Sequence, residues 1–163
     1  MGVNDYDIRP MDAPNGALLQ RQTHPTHRIL VVDDEPGIRL SMARMLGRSG
    51  YEVDAAEDGA DAWEALQVKH YDLLITDNNM PKVSGVELLQ RLHANRKAMP
   101  VIMATGSLPE EEFTQSPWIH PFATLLKPFT IAELLEKVQA SLPARNGARE
   151  QMDLLPILEC QTS

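Results

Sequence analysis

Two acidic positions in this chain stand where chemistry could be done. Ile29, Leu30, Val31 and Val32 run without polar interruption into Asp33-Asp34-Glu35-Pro36, and Leu73, Leu74, Ile75 and Thr76 run into Asp77, which an Asn-Asn-Met-Pro turn follows. Short apolar runs without alternation fit strands buried on both faces, as in a parallel sheet, because the two-residue period disappears when neither face meets water. In open α/β sheets ligands bind at the carboxyl ends of the strands, so acids placed there are site candidates before any motif is considered. In the doubly wound order 2-1-3-4-5 the first and third strands are neighbours, which brings Asp33 and Asp34 against Asp77. Carboxylates a few ångströms apart repel by about 4 kcal/mol per pair at an effective dielectric of about 20, so such a cluster needs a cation. A hard divalent ion suits oxygen ligands, and Mg²⁺, which keeps several waters and takes one or two carboxylates plus a phosphoryl oxygen, suits best.

The elements that must position these residues are legible along the chain. After the first strand, Ile38, Met42, Met45 and Leu46 mark the inward stripe of a helix that Gly50 and Tyr51 close. Residues 52–57 read as a shorter strand, and Gly59 leads into a helix with Ala62, Trp63 and Leu66 inward. Ser84 and Glu87 form a capping box that starts a helix through about Asn95. Residues 100–105 (PVIMAT) are the next buried strand and residues 123–127 (ATLLK) the last. Thr130 and Glu133 form a second capping box, opening a helix with Ile131, Leu134, Leu135 and Val138 on one face. Five strands alternating with helices predict an α/β fold, a parallel sheet with right-handed crossovers and helices on both faces. Alternation alone leaves the strand order open.

Composition narrows the function. With 163 residues and 43% hydrophobic content the chain can bury one core. A net charge of −8 argues against a nucleic-acid surface, which needs clustered Lys and Arg, and against acidic partners. Cys160, the single cysteine, has no intramolecular disulfide partner, and neither a signal-peptide core nor a bilayer-length apolar run appears, so a cytoplasmic protein without membrane contact is expected. Residues 1–27 are polar, interrupted by Pro10, Pro14 and Pro25, and read as a flexible arm; His24 and His27 lack further ligands at a metal-site spacing. Residues 143–163 read as a flexible tail, in which Met152, Leu154, Leu155, Ile157 and Leu158 form an apolar cluster that is either a docking peptide or frayed chain.

Asp33-Asp34 after the first strand, Asp77 followed by Met80-Pro81 and Gly85, Thr105 after the fourth, and Lys127-Pro128-Phe129 after the fifth together resemble the receiver domain of two-component response regulators. The resemblance covers residues 28–142. It implies a flavodoxin-like doubly wound sheet of order 2-1-3-4-5, in which Asp77 accepts a phosphoryl group from the phosphohistidine of a sensor histidine kinase or a histidine phosphotransfer protein. It further implies that Asp34 and Asp77 ligate Mg²⁺ directly, Asp33 through water, and Asn79 through its main-chain carbonyl. Such a protein is not an enzyme in the usual sense, since it catalyses only its own aspartyl phosphorylation and dephosphorylation. The residue types suit the chemistry: a carboxylate attacking phosphorus needs the equatorial oxygens neutralised, by Mg²⁺ on one side and the Lys127 ammonium on the other, with the Thr105 hydroxyl donating to a phosphoryl oxygen. The Lys127-Pro128 bond is a candidate cis peptide, as receiver domains usually have there.

Each residue taken singly has a plainer reading. Asp34 could cap the helix before Pro36, Thr105 could be an ordinary strand residue, Lys127 a solvated edge lysine and Asp77 a turn residue. Trp63 and the methionines at helical spacing read as core. Two features depart from the receiver pattern: Thr124 stands where an aromatic or histidine often rotates on activation, and Pro117 should end any helix begun at Pro109 after about two turns, giving a shortened or irregular fourth helix. Residues 106–122, with Trp118 and Phe122, are then expected to carry the signal. Beyond Leu142 the remaining residues cannot hold an output domain, so a stand-alone receiver signalling through protein contacts is expected. The alternatives are a pseudo-receiver binding module, a phosphorelay shuttle fragment of a hybrid kinase, and a hydrolase of the haloacid dehalogenase type, which wants an Asp where Asn79 stands.

Overall fold

The computed structural model describes residues 27–142, so all but the last residue of the arm expected over residues 1–27, and the tail expected over 143–163, lie outside the described residues. Five strands and five helices alternate: β1 (Arg28–Val32), α1 (Pro36–Arg48), β2 (Glu52–Ala56), α2 (Gly59–Val68), β3 (Leu73–Thr76), α3 (Gly85–Ala94), β4 (Val101–Thr105), α4 (Glu110–Gln115), β5 (Ala123–Leu126) and α5 (Ile131–Ser141). All pairings are parallel and the sheet order is β2-β1-β3-β4-β5. The order left open by alternation is the doubly wound one.

The apolar runs do what their composition dictates. Ile29, Val31, Leu73, Ile75, Ile102 and Ala104 point to one face of the sheet, where Met42, Leu46, Leu134 and Val138 from α1 and α5 cover them. Leu30, Val32, Leu74, Val101 and Met103 point to the other, beneath Ala62 and Leu66 of α2 and Val86, Leu89 and Leu92 of α3. A residue buried on each side of the strand at every step is why β1, β3 and β4 show no alternation.

The helix boundaries follow local chemistry. Pro36 occupies the first turn of α1, where its missing N–H costs nothing, and Gly50 takes φ 89° just after the helix ends. Both capping boxes form, Ser84 with Glu87 on α3 and Thr130 with Glu133 on α5. The strands β2 and β5 each end one residue earlier than the sequence suggests. In α5 the inward stripe starts at Leu134: Ile131, expected on that face, is 53% exposed because it is the first residue of the helix. The fourth helix is only six residues long and buries none of them. Ser116, forced out of helical geometry by Pro117, adopts φ −131° and ψ 72° and ends it.

Candidate functional site

Register brings the acids together. Val32 pairs with Thr76, and the Asp77 N–H donates to the Val32 carbonyl at 3.0 Å, so the chain leaves β1 and β3 at the same height and Asp33 sits beside Asp77. Carboxylate oxygens of Asp33, Asp34 and Asp77 lie within 4.8 Å of one another. Asp33 is fully buried and Asp77 nearly so, whereas Asp34 is exposed.

Each carboxylate is held differently. Asp33 Oδ1 accepts from the Glu35 N–H at 2.9 Å and Oδ2 from Lys127 Nζ at 2.7 Å, while the Arg39 guanidinium donates to its carbonyl. Asp77 Oδ1 accepts from the N–H groups of Asn78 and of Asn79, the latter at 3.2 Å, and Oδ2 from Lys127 Nζ at 2.8 Å. Asp34 does not cap α1: the capping position is Glu35, which makes no side-chain cap bond. The plainer reading of Asp34 therefore fails.

Lys127 reaches the acids because β5 pairs with β4 and its own N–H donates to the Thr105 carbonyl at 2.9 Å. Its peptide bond to Pro128 is cis. Burial pulls the ammonium pKa down, but the hydrogen bonds to Asp33 and Asp77 and their charges outweigh burial and hold it above the ordinary 10.5. Lys127 is thus no solvated edge lysine; its side chain is 16% exposed. Thr105, at the end of β4, is fully buried, and its Oγ1 has no hydrogen-bond partner. A buried hydroxyl without a partner is costly, which sets this position apart from an ordinary strand threonine.

The turn after Asp77 is held by residues that the sequence shows only as turn formers. Asn78 Oδ1 accepts from the Val86 N–H at 3.1 Å and its carbonyl from the Gly85 N–H at 3.2 Å, which docks the start of α3 on the turn. Gly85 is required there, since a Cβ would lie 2.3 Å from the Asp77 carbonyl oxygen. Arg39 and Asn78 gave no motif; only the helical offset from Asp33 and the spacing to Gly85 could have pointed to them.

The donor set fits a hard divalent cation. Three carboxylates supply oxygen alone, and a single ammonium serves two of them, which leaves excess negative charge with the exposed Asp34 oxygen at its rim. The unpartnered Thr105 hydroxyl fits an acceptor-rich group.

Thr124, three residues before Lys127, is exposed on β5 between Phe122 and Leu126, which are 59% and 53% exposed. Trp118 is 64% exposed, whereas its neighbour Ile119 is buried. The short α4 leaves this side of β5 uncovered.

A doubly wound sheet with a carboxylate and lysine pocket at its carboxyl edge defines a flavodoxin-like α/β protein. The chain belongs to the response regulator receiver domain family, whose model matches residues 29–139. It is 39% identical over 103 residues to the sensor protein EvgS of Escherichia coli O157:H7, covering 63% of this chain and 9% of that protein. It is 34% identical over 115 residues to the response regulator MprA of Mycobacterium ulcerans, covering 71% of this chain and 50% of that protein. The chain therefore spans half or less of the length of these relatives. Among solved structures, the chemotaxis response regulator CheY4 of Vibrio cholerae aligns with TM-score 0.64 and 32% identity over 72% of this chain and 99% of that one. The response regulator TrrA of Thermotoga maritima, solved in complex with Mg²⁺-BeF, aligns with TM-score 0.64 and 37% identity over 72% and 100%. Among the described residues no helix is long and apolar enough to cross a membrane.

Proposed function

We infer that this protein is a phosphoacceptor switch: Asp77 takes a phosphoryl group from a phosphohistidine of a sensor histidine kinase or histidine phosphotransfer protein. The observation that carries this reading is the convergence of Asp33, Asp77 and Lys127 beside a buried hydroxyl, on Thr105, that has no partner within the fold. Asp34 and Asp77 directly, Asp33 through water and the main-chain carbonyl of Asn79 would hold Mg²⁺, which would supply charge neutralisation at the phosphoryl oxygens. In the transfer, an Asp77 oxygen forms the new P–O bond as the P–N bond breaks, and the electron pair returns to the imidazole, which takes up a proton. Lys127 neutralises charge on the phosphoryl oxygens, and the Thr105 hydroxyl donates to one of them.

The output follows from what β5 lacks. Drawing Thr105 toward the phosphoryl group opens space that an aromatic would fill by turning inward, but Thr124 is too small and polar to fill it, so residues 106–122 respond instead. Their few helical hydrogen bonds keep local rearrangement cheap, and Trp118 and Phe122 supply apolar contact for a downstream protein. Partner choice therefore lies on this face.

Incubation with Mg²⁺ and a small phosphodonor should add one acid-labile phosphoryl group by intact mass. Labelling of Asp77→Ala at the wild-type level would exclude the acceptor role. With a beryllofluoride mimic, backbone amide shifts should extend through residues 106–122; changes confined to the neighbours of Asp77 would exclude the output route. Of the alternatives, a pseudo-receiver gains nothing from an acidic pocket that retains its lysine, and the dehalogenase-type hydrolase lacks its second acid at Asn79.

A further inference from the structure

Outside the pocket, a polar contact on a buried carboxylate joins α2 to the loop between β3 and α3. Asp58 is 2% exposed, and its Oδ1 caps α2 by accepting from the N–H groups of Ala60 at 2.8 Å and Asp61 at 3.0 Å. Its Oδ2 meets Lys82 Nζ at 2.5 Å. Lys82 stands on the loop with φ 64°, left-handed backbone that non-glycine residues rarely adopt, so the surroundings must hold it there. A second contact lies beside this one: a Cβ on Gly59 would come 2.4 Å from the Val83 carbonyl oxygen, so only glycine lets α2 approach the loop this closely.

The loop itself is a series of short closures. Met80 and Gly85 N–H groups donate to the Asn78 carbonyl at 3.1 and 3.2 Å, and the Val83 N–H donates to the Pro81 carbonyl at 2.7 Å. All of these stay within the segment that begins at Asp77. Among the described residues, and beyond Asp77 itself, which pairs with Lys127, Lys82 is the loop side chain that forms an ion pair with another element, and Asp58 is its partner. The ammonium and the N–H groups of Asp61 and Ala60 hold the Asp58 carboxyl below its ordinary range, so the pair is charged at neutral pH.

We propose that the Asp58–Lys82 ion pair is a positioning latch: by tying the β3–α3 loop to α2 it fixes the Asn78–Asn79 backbone beside Asp77 and so sets the affinity of the acidic pocket for Mg²⁺. This rests on the reading of Asn79 as a main-chain ligand. Lys82 and Asp58 touch neither metal nor phosphoryl group; they act through the loop.

The latch is tested with the 163-residue chain as wild type, Lys82→Met, Lys82→Arg and Asp58→Asn, the last keeping an oxygen for the α2 cap. Lys82 is 59% exposed at its side chain, so Lys82→Met leaves the fold intact. Mg²⁺ affinity is read from amide shifts around Asp77, and loop order from amide hydrogen exchange at Met80, Val83 and Gly85 in EDTA. The expected result is a loss of about tenfold in Mg²⁺ affinity in Lys82→Met and Asp58→Asn, the low end for residues that orient metal ligands, with faster exchange at the three amides. Lys82→Arg should restore both. Wild-type exchange and affinity within twofold in Lys82→Met and Asp58→Asn would overturn the latch. A wild type without any Mg²⁺ response would instead overturn the metal reading, and with it the latch's effect on the pocket, even if loop exchange rises.

Discussion

Replacing Lys127 by Met removes the cation that Asp33 and Asp77 share while keeping the length of the side chain. The two carboxylates, with oxygens no more than 4.8 Å apart, then repel by at least about 3 kcal/mol at an effective dielectric of about 20. Removing one partner of a buried ion pair costs about 3–5 kcal/mol in general, and the two figures meet at about 3. For a domain of this size 1 kcal/mol is worth about 4 °C, so Lys127→Met should melt about 12 °C below wild type in EDTA. Mg²⁺ meets a more negative pocket in the variant, so its stabilising effect should be larger there than in wild type. Thermal melts of both proteins in EDTA and in saturating Mg²⁺ measure all four states. A variant that melts within about 2 °C of wild type in EDTA would show that Lys127 does not neutralise the acids.

Mg²⁺ should stabilise wild type by up to about 2.7 kcal/mol at 100 times its dissociation constant, and Asp34→Asn should lose most of that gain; equal gains in thermal melts would remove Asp34 from the metal site. Gly85→Ala should cost about 2–3 kcal/mol in urea unfolding, because the new Cβ meets the Asp77 carbonyl oxygen, which is backbone and cannot turn aside; an unchanged midpoint would mean the turn has room to shift. Tyr71 is pushed up to about 12 by burial and by its hydrogen bond to Asp54. Raised in the folded state, it contributes stability that is present below pH 10 and is lost as pH rises through about 12. Phenolate absorbance should show one late-titrating tyrosine that disappears in Tyr71→Phe; ordinary titration of every tyrosine would refute this.

The fold was legible where burial is symmetrical. β1, β3 and β4 read as unbroken runs because both of their faces are covered, and the acids at the ends of β1 and β3 followed directly. Pro117 announced the short α4, since the residue before a proline leaves helical geometry. Strand order was not in the alternation of elements, because the same alternation serves other parallel sheets; it came from the resemblance carried by the site residues. Ile131 was misplaced on the inner face of α5 since periodicity does not say where a helix first meets the sheet. The Asp58–Lys82 pair was invisible for a different reason: its partners lie on separate elements, and each looks ordinary alone, an Asp before a helix and a Lys after a proline. Asn78 likewise reads as a turn residue until Val86 is seen donating to its side chain.

The central claim is that Asp77, among three clustered acids, is the one that carries the phosphoryl group. Borohydride reduces an acyl phosphate to an alcohol, so an aspartyl phosphate becomes homoserine at the residue that held it. After incubation with Mg²⁺ and a small phosphodonor, reduction and peptide mass spectrometry should place homoserine at position 77, with none at 33 or 34 and none when EDTA replaces Mg²⁺. Homoserine at Asp33 or Asp34, or at Asp77 to the same extent in EDTA, would contradict the account.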